Sequence, residues 1–276
     1  MKSYSPSQTK LFQQCPQEWW LSRKMGLRGK LLTKGDLTAA VGTHVGDAIE
    51  NTEMGLKINE NAFLEHLGQY TALEPPSKED VNRYTILCEK ALKAYLSSDL
   101  RPQNPLQVIN AQVDVGIGHH CFIDMLLKDA NTGDLYVWDT KCKLTCETRN
   151  VEKILGGYMG DWQQLHYGYF TWKKYGRVPK GYFIGLLGLQ PTTRLHGGVG
   201  RLFPYTQEML QQWYDSALFW WQAMEQCEQA QWAPMSHTHH RGWGRCEMFD
   251  VCFMYNGSVE IAKQSGFVQI ERKVEG

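Results

Sequence analysis

From Leu106 to Leu144 apolar and polar residues alternate, with β-branched residues frequent among them. LQVINAQVDVGIG, CFIDMLLKD and DLYVWDTKCKL are separated by His119-His120 and by Asn131-Thr132-Gly133. That pattern predicts three short antiparallel strands joined by tight turns. Upstream the apolar spacing is helical. Ser5 can cap a first helix, Pro6 suits its first position, and Gln8 falls where a capping box places Gln or Glu. Leu11, Phe12 and Cys15 follow at helical spacing, and Pro16 ends or kinks the run. Helices are predicted over about 36–51, with Val41, Val45, Ala48 and Ile49 on one face, and over about 78–96. Downstream the pattern predicts a helix over about 155–174, a strand over 181–189 and a helix over about 206–229. Helices, then a β-meander, then helix, strand and helix point to an α/β fold with a mixed central sheet. The chain divides into a helical lobe over 1–100, a core over 101–230 and an irregular tail over 231–276 that carries Cys and His.

Composition changes this picture little. At 276 residues and 42% hydrophobic content the chain suffices for one substantial domain with an accessory lobe. Lys+Arg and Asp+Glu both number 29, so a nucleic-acid partner would have to be met by local clusters of charge. No run is long and apolar enough for a membrane helix, and the opening MKSYSPSQTK lacks the apolar core of a secretion signal. A cytoplasmic protein is expected, and its eight Cys read as metal ligands or buried thiols rather than disulfides.

The chemistry gathers on two strands. Asp124 sits inside the apolar FIDMLLKD, where a carboxylate is costly unless it is paired, hydrogen-bonded or on a metal. Fourteen residues lie between it and Asp139, and two antiparallel strands joined by a turn can bring the two together. Converging carboxylates repel, so they favour a cation, and Mg²⁺ or Mn²⁺ suits oxygen ligands and phosphate chemistry. Lys141 follows Asp139 by two residues and shares its strand face. It could position a water or neutralise charge on a phosphate.

In order along the chain, these features resemble the RecB-like branch of the PD-(D/E)XK nucleases, which includes CRISPR-associated and phage exonucleases with an iron–sulfur cluster. The resemblance rests on the Ser-Pro-Ser helix and Cys-Pro step of SPSQTKLFQQCPQEWWL, on GTHVGDAIE, on Asp124, on Asp139-Thr140-Lys141, on Gln163 and Tyr167 in DWQQLHYGY, and on CEMFDVC near the end. It implies a restriction-endonuclease-like core. It also implies metal ligation by Asp124, Asp139 and the Thr140 carbonyl, a catalytic Lys141, and Gln163 and Tyr167 projecting beside the substrate from one helix face. The family's helix His stands four residues after its Gly, a position held here by Gly46. His44 is the candidate ligand; otherwise Asp47 or Glu50 takes the role, or the ligand is absent.

The family's cluster uses one Cys after the first helix and three near the C-terminus. Cys15, Cys246 and Cys252 match three of these places, and His240 falls near the fourth, with His237 and His239 also at hand. A Cys₃His set could hold a [4Fe–4S] cluster or a Zn²⁺, stapling the tail to the first helix. Cys142 and Cys146 read as packing. Lys143, Arg149 and Lys153, and the run Arg23, Lys24, Arg28 and Lys30, are candidate phosphate contacts. Trp19 and Trp20 read as core. The expected function is a metal-dependent DNA exonuclease in recombination, repair or phage DNA processing, in a bacterial or phage-infected cell. Its partners would be single- or double-stranded DNA ends, a recombination protein, or further copies of itself. The alternative is a nuclease-like protein reduced to binding DNA or a partner, which the shifted helix His and altered Cys set favour. A third reading, a metal-binding structural protein built around its Cys/His tail, leaves Asp139-Thr140-Lys141 unexplained.

Overall fold

A computed structural model of the chain describes residues 3–28, 34–56, 77–114, 121–143, 150–188, 199–235, 240–241, 244–246, 248–255 and 257–269. The helices are α1 (Pro6–Gln14), α2 (Pro16–Trp19) running into a π-helical turn (Trp20–Lys24), α3 (Lys34–Glu53), α4 (Lys78–Leu96), α5 (Val151–Gly156), α6 (Trp162–Tyr175), α7 (Gln207–Ala230), α8 (Phe249–Phe253) and α9 (Val259–Gln264). The strands are β1 (Leu27–Arg28), β2 (Leu106–Asp114), β3 (Phe122–Asp129), β4 (Leu135–Lys143), β5 (Gly181–Gly188), β6 (Val199–Pro204), β7 (His240–Arg241), β8 (Gly244–Arg245) and β9 (Val268–Gln269).

The chain forms two compact units. One comprises residues 33–71 and 75–214 and is built on a five-stranded sheet in the order β2-β3-β4-β5-β6. β2, β3 and β4 pair antiparallel, β4 and β5 parallel, and β5 and β6 antiparallel. The turn between β3 and β4 reverses over Asp129–Asp134, with Gly133 at φ +74° and Asp129 Oδ1 accepting from the N–H groups of Asn131 and Thr132. A parallel step needs a crossover, and α5 and α6 supply it. Asp161 caps α6 by accepting from Gln163 N, and Gly176, at φ +71°, closes it in the left-handed conformation that glycine tolerates best. α3 packs against β2, β3 and β4, α4 against α3 and β5, and α6 against β4 and β5. The sequence assigns α3 and α4 to a lobe of their own. In the structure their apolar faces, with Val41, Val45, Ile49, Ala91 and Tyr95 buried, belong with the sheet.

The other unit joins the first 32 residues to those from Asp215 onward. Ser5 caps α1 as the sequence predicts, accepting from Gln8 N. Pro16 does end that helix, but it also opens the next: Cys15 is the shared boundary, and its Sγ accepts from Glu18 N at 3.4 Å. Trp19 is wholly buried against Phe12 and Tyr4, in keeping with a core role. Trp221 on α7 donates to Thr9 Oγ1. Leu21, Leu27, Met248, Val251 and Ala262 form a small core under the tail, and β1 pairs with β9. No helix among the described residues is long and apolar enough to cross a membrane.

Candidate active site

The β3–β4 ladder runs from Lys128 opposite Leu135 to Met125 opposite Trp138. One further step along each strand brings Asp124 beside Asp139. Asp139 is fully buried, while Asp124 keeps some surface in a cleft of about 510 Å³. The same cleft is lined by Thr140, Lys141 and Cys142 from β4, and by Ala39, Gly42, Thr43, Gly46, Asp47 and Glu50 from α3.

Lys141 Nζ stands 2.6 Å from Asp139 Oδ2 and donates at 3.4 Å to Gln163 Oε1. Gln163 Nε2 in turn donates to Tyr167 Oη at 2.6 Å. The two α6 side chains that the sequence singles out therefore meet the strand chemistry through Lys141. Sequence reasoning passed over Gln164. It is fully buried, and its Nε2 donates to Asp139 Oδ2 at 2.7 Å. Its backbone carbonyl accepts from Tyr205 Oη at 2.6 Å, which ties the start of α6 to the end of β6. Two adjacent glutamines occur at 163 and 164, and only the fold shows that each has a separate task.

The charges follow from these contacts. Burial, then the Asp139 charge and the hydrogen bond between the two carboxyls, holds Asp124 well above its ordinary value; Glu50 pushes the same way and Lys141 opposes. Burial would also raise Asp139, but the Lys141 ammonium and hydrogen bonds from Asp124, Lys141 and Gln164 outweigh it and hold that carboxyl low. Burial alone would lower Lys141, yet the charges of Asp139 and Asp124 prevail and raise it. The pair thus resembles one proton-sharing acid beside one firmly ionised acid, with Lys141 a cation. Burial, with Asp124 and Asp139 next, also keeps the Tyr167 phenol protonated well past its usual range.

With both carboxyls ionised, Asp139 Oδ1 has no hydrogen-bond donor among the described residues. Either a proton held by Asp124 or a cation fits there. The donor set is all oxygen, which suits a hard divalent ion. Among the described residues no three Asp, Glu, His or Cys side chains converge closely enough to form a metal cage by themselves. A magnesium-like ion does not require one, because it keeps several waters and is commonly held by one or two carboxylates.

The remaining expected ligands are placed as follows. His44 is buried on α3 and is not among the residues that line the cleft. In the other unit, Cys246 Sγ lies 3.3 Å from Glu18 Oε2, and Cys15 is near enough to both Cys246 and Cys252 to perturb their thiols. Burial leads in raising Cys246 to about 12 and Cys252 to about 11. The three thiols share a neighbourhood without converging on one point. The His240 side chain and residues His237, His239, Cys146, Arg149 and Lys30 lie outside the described residues. Burial raises Cys142 to about 12, as expected of a packed thiol. Of the basic candidates, Lys24 pairs with Glu228, Lys143 sits over the Tyr158 ring and Lys153 is exposed.

A model of the PD-(D/E)XK nuclease superfamily matches residues 3–253. The chain belongs to the PD-(D/E)XK nuclease superfamily. No curated protein matches it. A crystal structure described as that of a candidate exonuclease from Eubacterium rectale is similar at 13% identity and a TM-score of 0.44, over 92% of this chain and 88% of that one. The superfamily membership and the mixed five-stranded sheet agree with the fold class expected from the sequence.

Proposed function

We propose that this nuclease hydrolyses DNA phosphodiesters with Mg²⁺ or Mn²⁺, working from strand ends. The observation that carries the reading is the buried Asp139, fixed on one oxygen by Lys141 and Gln164, with its other, buried oxygen lacking a fixed donor among the described residues, beside Asp124. Asp124, Asp139 and the Thr140 carbonyl would hold the ion, which when bound supplies a polarised water and stabilises charge developing on the phosphate. Lys141 is paired with Asp139 and hydrogen-bonded to Gln163, which points its ammonium into the site as a donor. It donates either to the attacking water or to a phosphate oxygen. Gln163 accepts from Lys141 and so aims the ammonium, while the Tyr167 hydroxyl orients Gln163. Gln164 prevents Asp139 from turning. A cleft walled on one side by Ala39, Gly42, Thr43 and Gly46 leaves room for a sugar-phosphate chain.

A [4Fe–4S] cluster or zinc ion on Cys15, Cys246 and Cys252 with a fourth donor is a separate, structural part of the proposal. It is supported by their shared neighbourhood, and no step of the hydrolysis passes through it. Visible absorbance of the purified protein separates the cluster from zinc.

The deciding experiment is cleavage of end-labelled linear DNA with Mg²⁺ or Mn²⁺ by wild type, Asp139→Ala and Lys141→Ala. Metal-dependent shortening from the ends, lost in both variants, is expected. Intact single- and double-stranded DNA after incubation with metal-loaded wild type would overturn the reading.

A further inference from the structure

β4 carries its chemistry at alternate positions. Asp139, Lys141 and Lys143 stand two residues apart, so all three project from one face of the strand. Asp139 and Lys141 are taken up by the site described above, and Lys143 is the next group along the same row. Its Nζ stands 5.8 Å from the centre of the Tyr158 ring, and it makes no ion pair among the described residues. A ring face steadies an ammonium while leaving N–H donors for an anion.

Tyr158 is itself fixed. It sits on the turn between α5 and α6, where its carbonyl accepts from Tyr182 Oη at 2.6 Å and from Asp161 N at 3.0 Å. The same Tyr182 oxygen accepts from Gly160 N at 3.1 Å. Tyr182 is buried on β5, which pairs with β4, and is stacked on Phe203. Turn and strand are therefore held in one frame. A separate observation ties them to the active site: the Tyr158 phenol is near enough to Lys141 to enter the balance of charge at its ammonium.

Resting on the nuclease reading above, we propose that Lys143, steadied over the Tyr158 ring, binds the DNA phosphate next to the scissile one. Two strand residues span about 6.6 Å, close to the step from one phosphate to the next along an extended nucleic-acid strand. With Lys141 at the scissile group, Lys143 meets its neighbour. A phosphate contact adds grip and register without reading sequence. It also sets a lower limit on the substrate, since a dinucleotide without terminal phosphates cannot engage both lysines.

The test is binding of a fluorescein-labelled single-stranded oligonucleotide to the full chain in EDTA, followed by anisotropy across a salt series. Wild type, Lys143→Gln, Lys143→Arg, Tyr158→Phe and Tyr158→Leu are compared, each checked for folding by circular dichroism. Lys143→Gln should flatten the fall of log affinity with log salt by about 0.7, the share of one single-strand phosphate contact. Lys143→Arg and Tyr158→Phe, which keep the charge and the ring, should match wild type. Tyr158→Leu should weaken binding about two- to fivefold. The contact is then placed by cleavage in Mn²⁺ of the same strand carrying one uncharged methylphosphonate, moved along it linkage by linkage. At a linkage beside the cut, the uncharged group should slow wild type and leave Lys143→Gln no slower than on natural DNA. An unchanged salt slope in Lys143→Gln would overturn the proposal and leave the nuclease reading intact. So would methylphosphonates that slow Lys143→Gln and wild type by the same factor at every linkage. If wild type binds only with metal present, the cleavage comparison decides alone. Failure of wild type both to bind and to cut DNA would overturn both readings. If Lys143→Gln does not fold, Lys143→Met replaces it under the same criteria, since it removes the charge and keeps an unbranched stem.

Discussion

Lys141→Met removes the cation paired with the buried Asp139 and leaves the shape of the side chain nearly unchanged. Asp139 is wholly buried, and the Lys141 side chain keeps about a quarter of its surface exposed. Breaking a fully buried ion pair by deleting one partner costs about 3–5 kcal/mol. The partial exposure of Lys141 puts the expected loss lower, at about 2–4 kcal/mol. The unit involved comprises residues 33–71 and 75–214. At roughly 2.1 cal/mol/K per residue its unfolding entropy is about 0.4 kcal/mol/K, so the loss reads as a drop of about 5–10 °C in Tm. The assay is thermal unfolding in EDTA at pH 8, followed by circular dichroism. Adding Asp124→Asn in the Lys141→Met background should recover more than half of the drop. It removes the like charge and places an amide donor beside Asp139. The sign with pH is also set. Asp124 is held above its unfolded value, so its protonated form favours folding, and the stability this gives is lost as pH rises through the folded-state value. The Lys141→Met deficit should therefore shrink as pH is lowered from 8. An equal loss of Tm with and without Asp124→Asn would refute this account of the site's electrostatics.

Three further outcomes are expected. Gly46→Ala places a methyl in open space on a helix, so unfolding should shift up by about 2–4 °C for about 1 kcal/mol of helix propensity; DNA cleavage by the same variant should slow because the methyl lines the cleft. Gly200→Ala puts its Cβ against the Phe183 ring, which is stacked on Trp138 at 3.8 Å, and should cost about 1–3 kcal/mol by chemical denaturation. Gln164→Ala frees Asp139 Oδ2 from one of its two donors; kcat for DNA cleavage should fall by about tenfold or more while circular dichroism stays native.

The alternation of apolar and polar residues made the β2–β3–β4 meander legible, although burial itself does not alternate: β3 buries Met125, Leu126 and Leu127 in a row and β4 buries Val137, Trp138 and Asp139. The positions of Asp124, Asp139 and Lys141 followed from it, since strand period and hairpin register set which residues become neighbours. The helix over 78–96 was legible from its apolar stripe, and the structure adds its cap: Ser77 Oγ accepts from Asp80 N. The sequence could not show the facing of α3. GTHVGDAIE contains a His, an Asp and a Glu within seven residues, and which of them meets the cleft depends on how the helix rolls against β4. Burial of Val41, Val45, Ala48 and Ile49 sets that roll and brings Gly42, Gly46 and Glu50 to the cleft. Gln164 was invisible for a related reason. Its partner is 25 residues away on β4, and no local pattern marks a glutamine that hydrogen-bonds a distant carboxylate. The single helix expected over 155–174 divides at Tyr158–Asp161, where Gly160 adopts φ +70° and its N–H donates to Tyr182 Oη.

The two donors on Asp139 Oδ2 also bear on ion selectivity. Oδ2 is engaged by Lys141 at 2.6 Å and Gln164 at 2.7 Å, so a divalent ion held here as proposed would have the other oxygen of this carboxylate left to it. Calcium commonly completes its seven or eight ligands by gripping a carboxylate through both oxygens, whereas magnesium and manganese are content with one oxygen at an octahedral corner. On the proposed metal-dependent reading, Gln164 and Lys141 would favour an ion that takes a single carboxylate oxygen, through a hydrogen bond and an ion pair rather than through the size of the cleft.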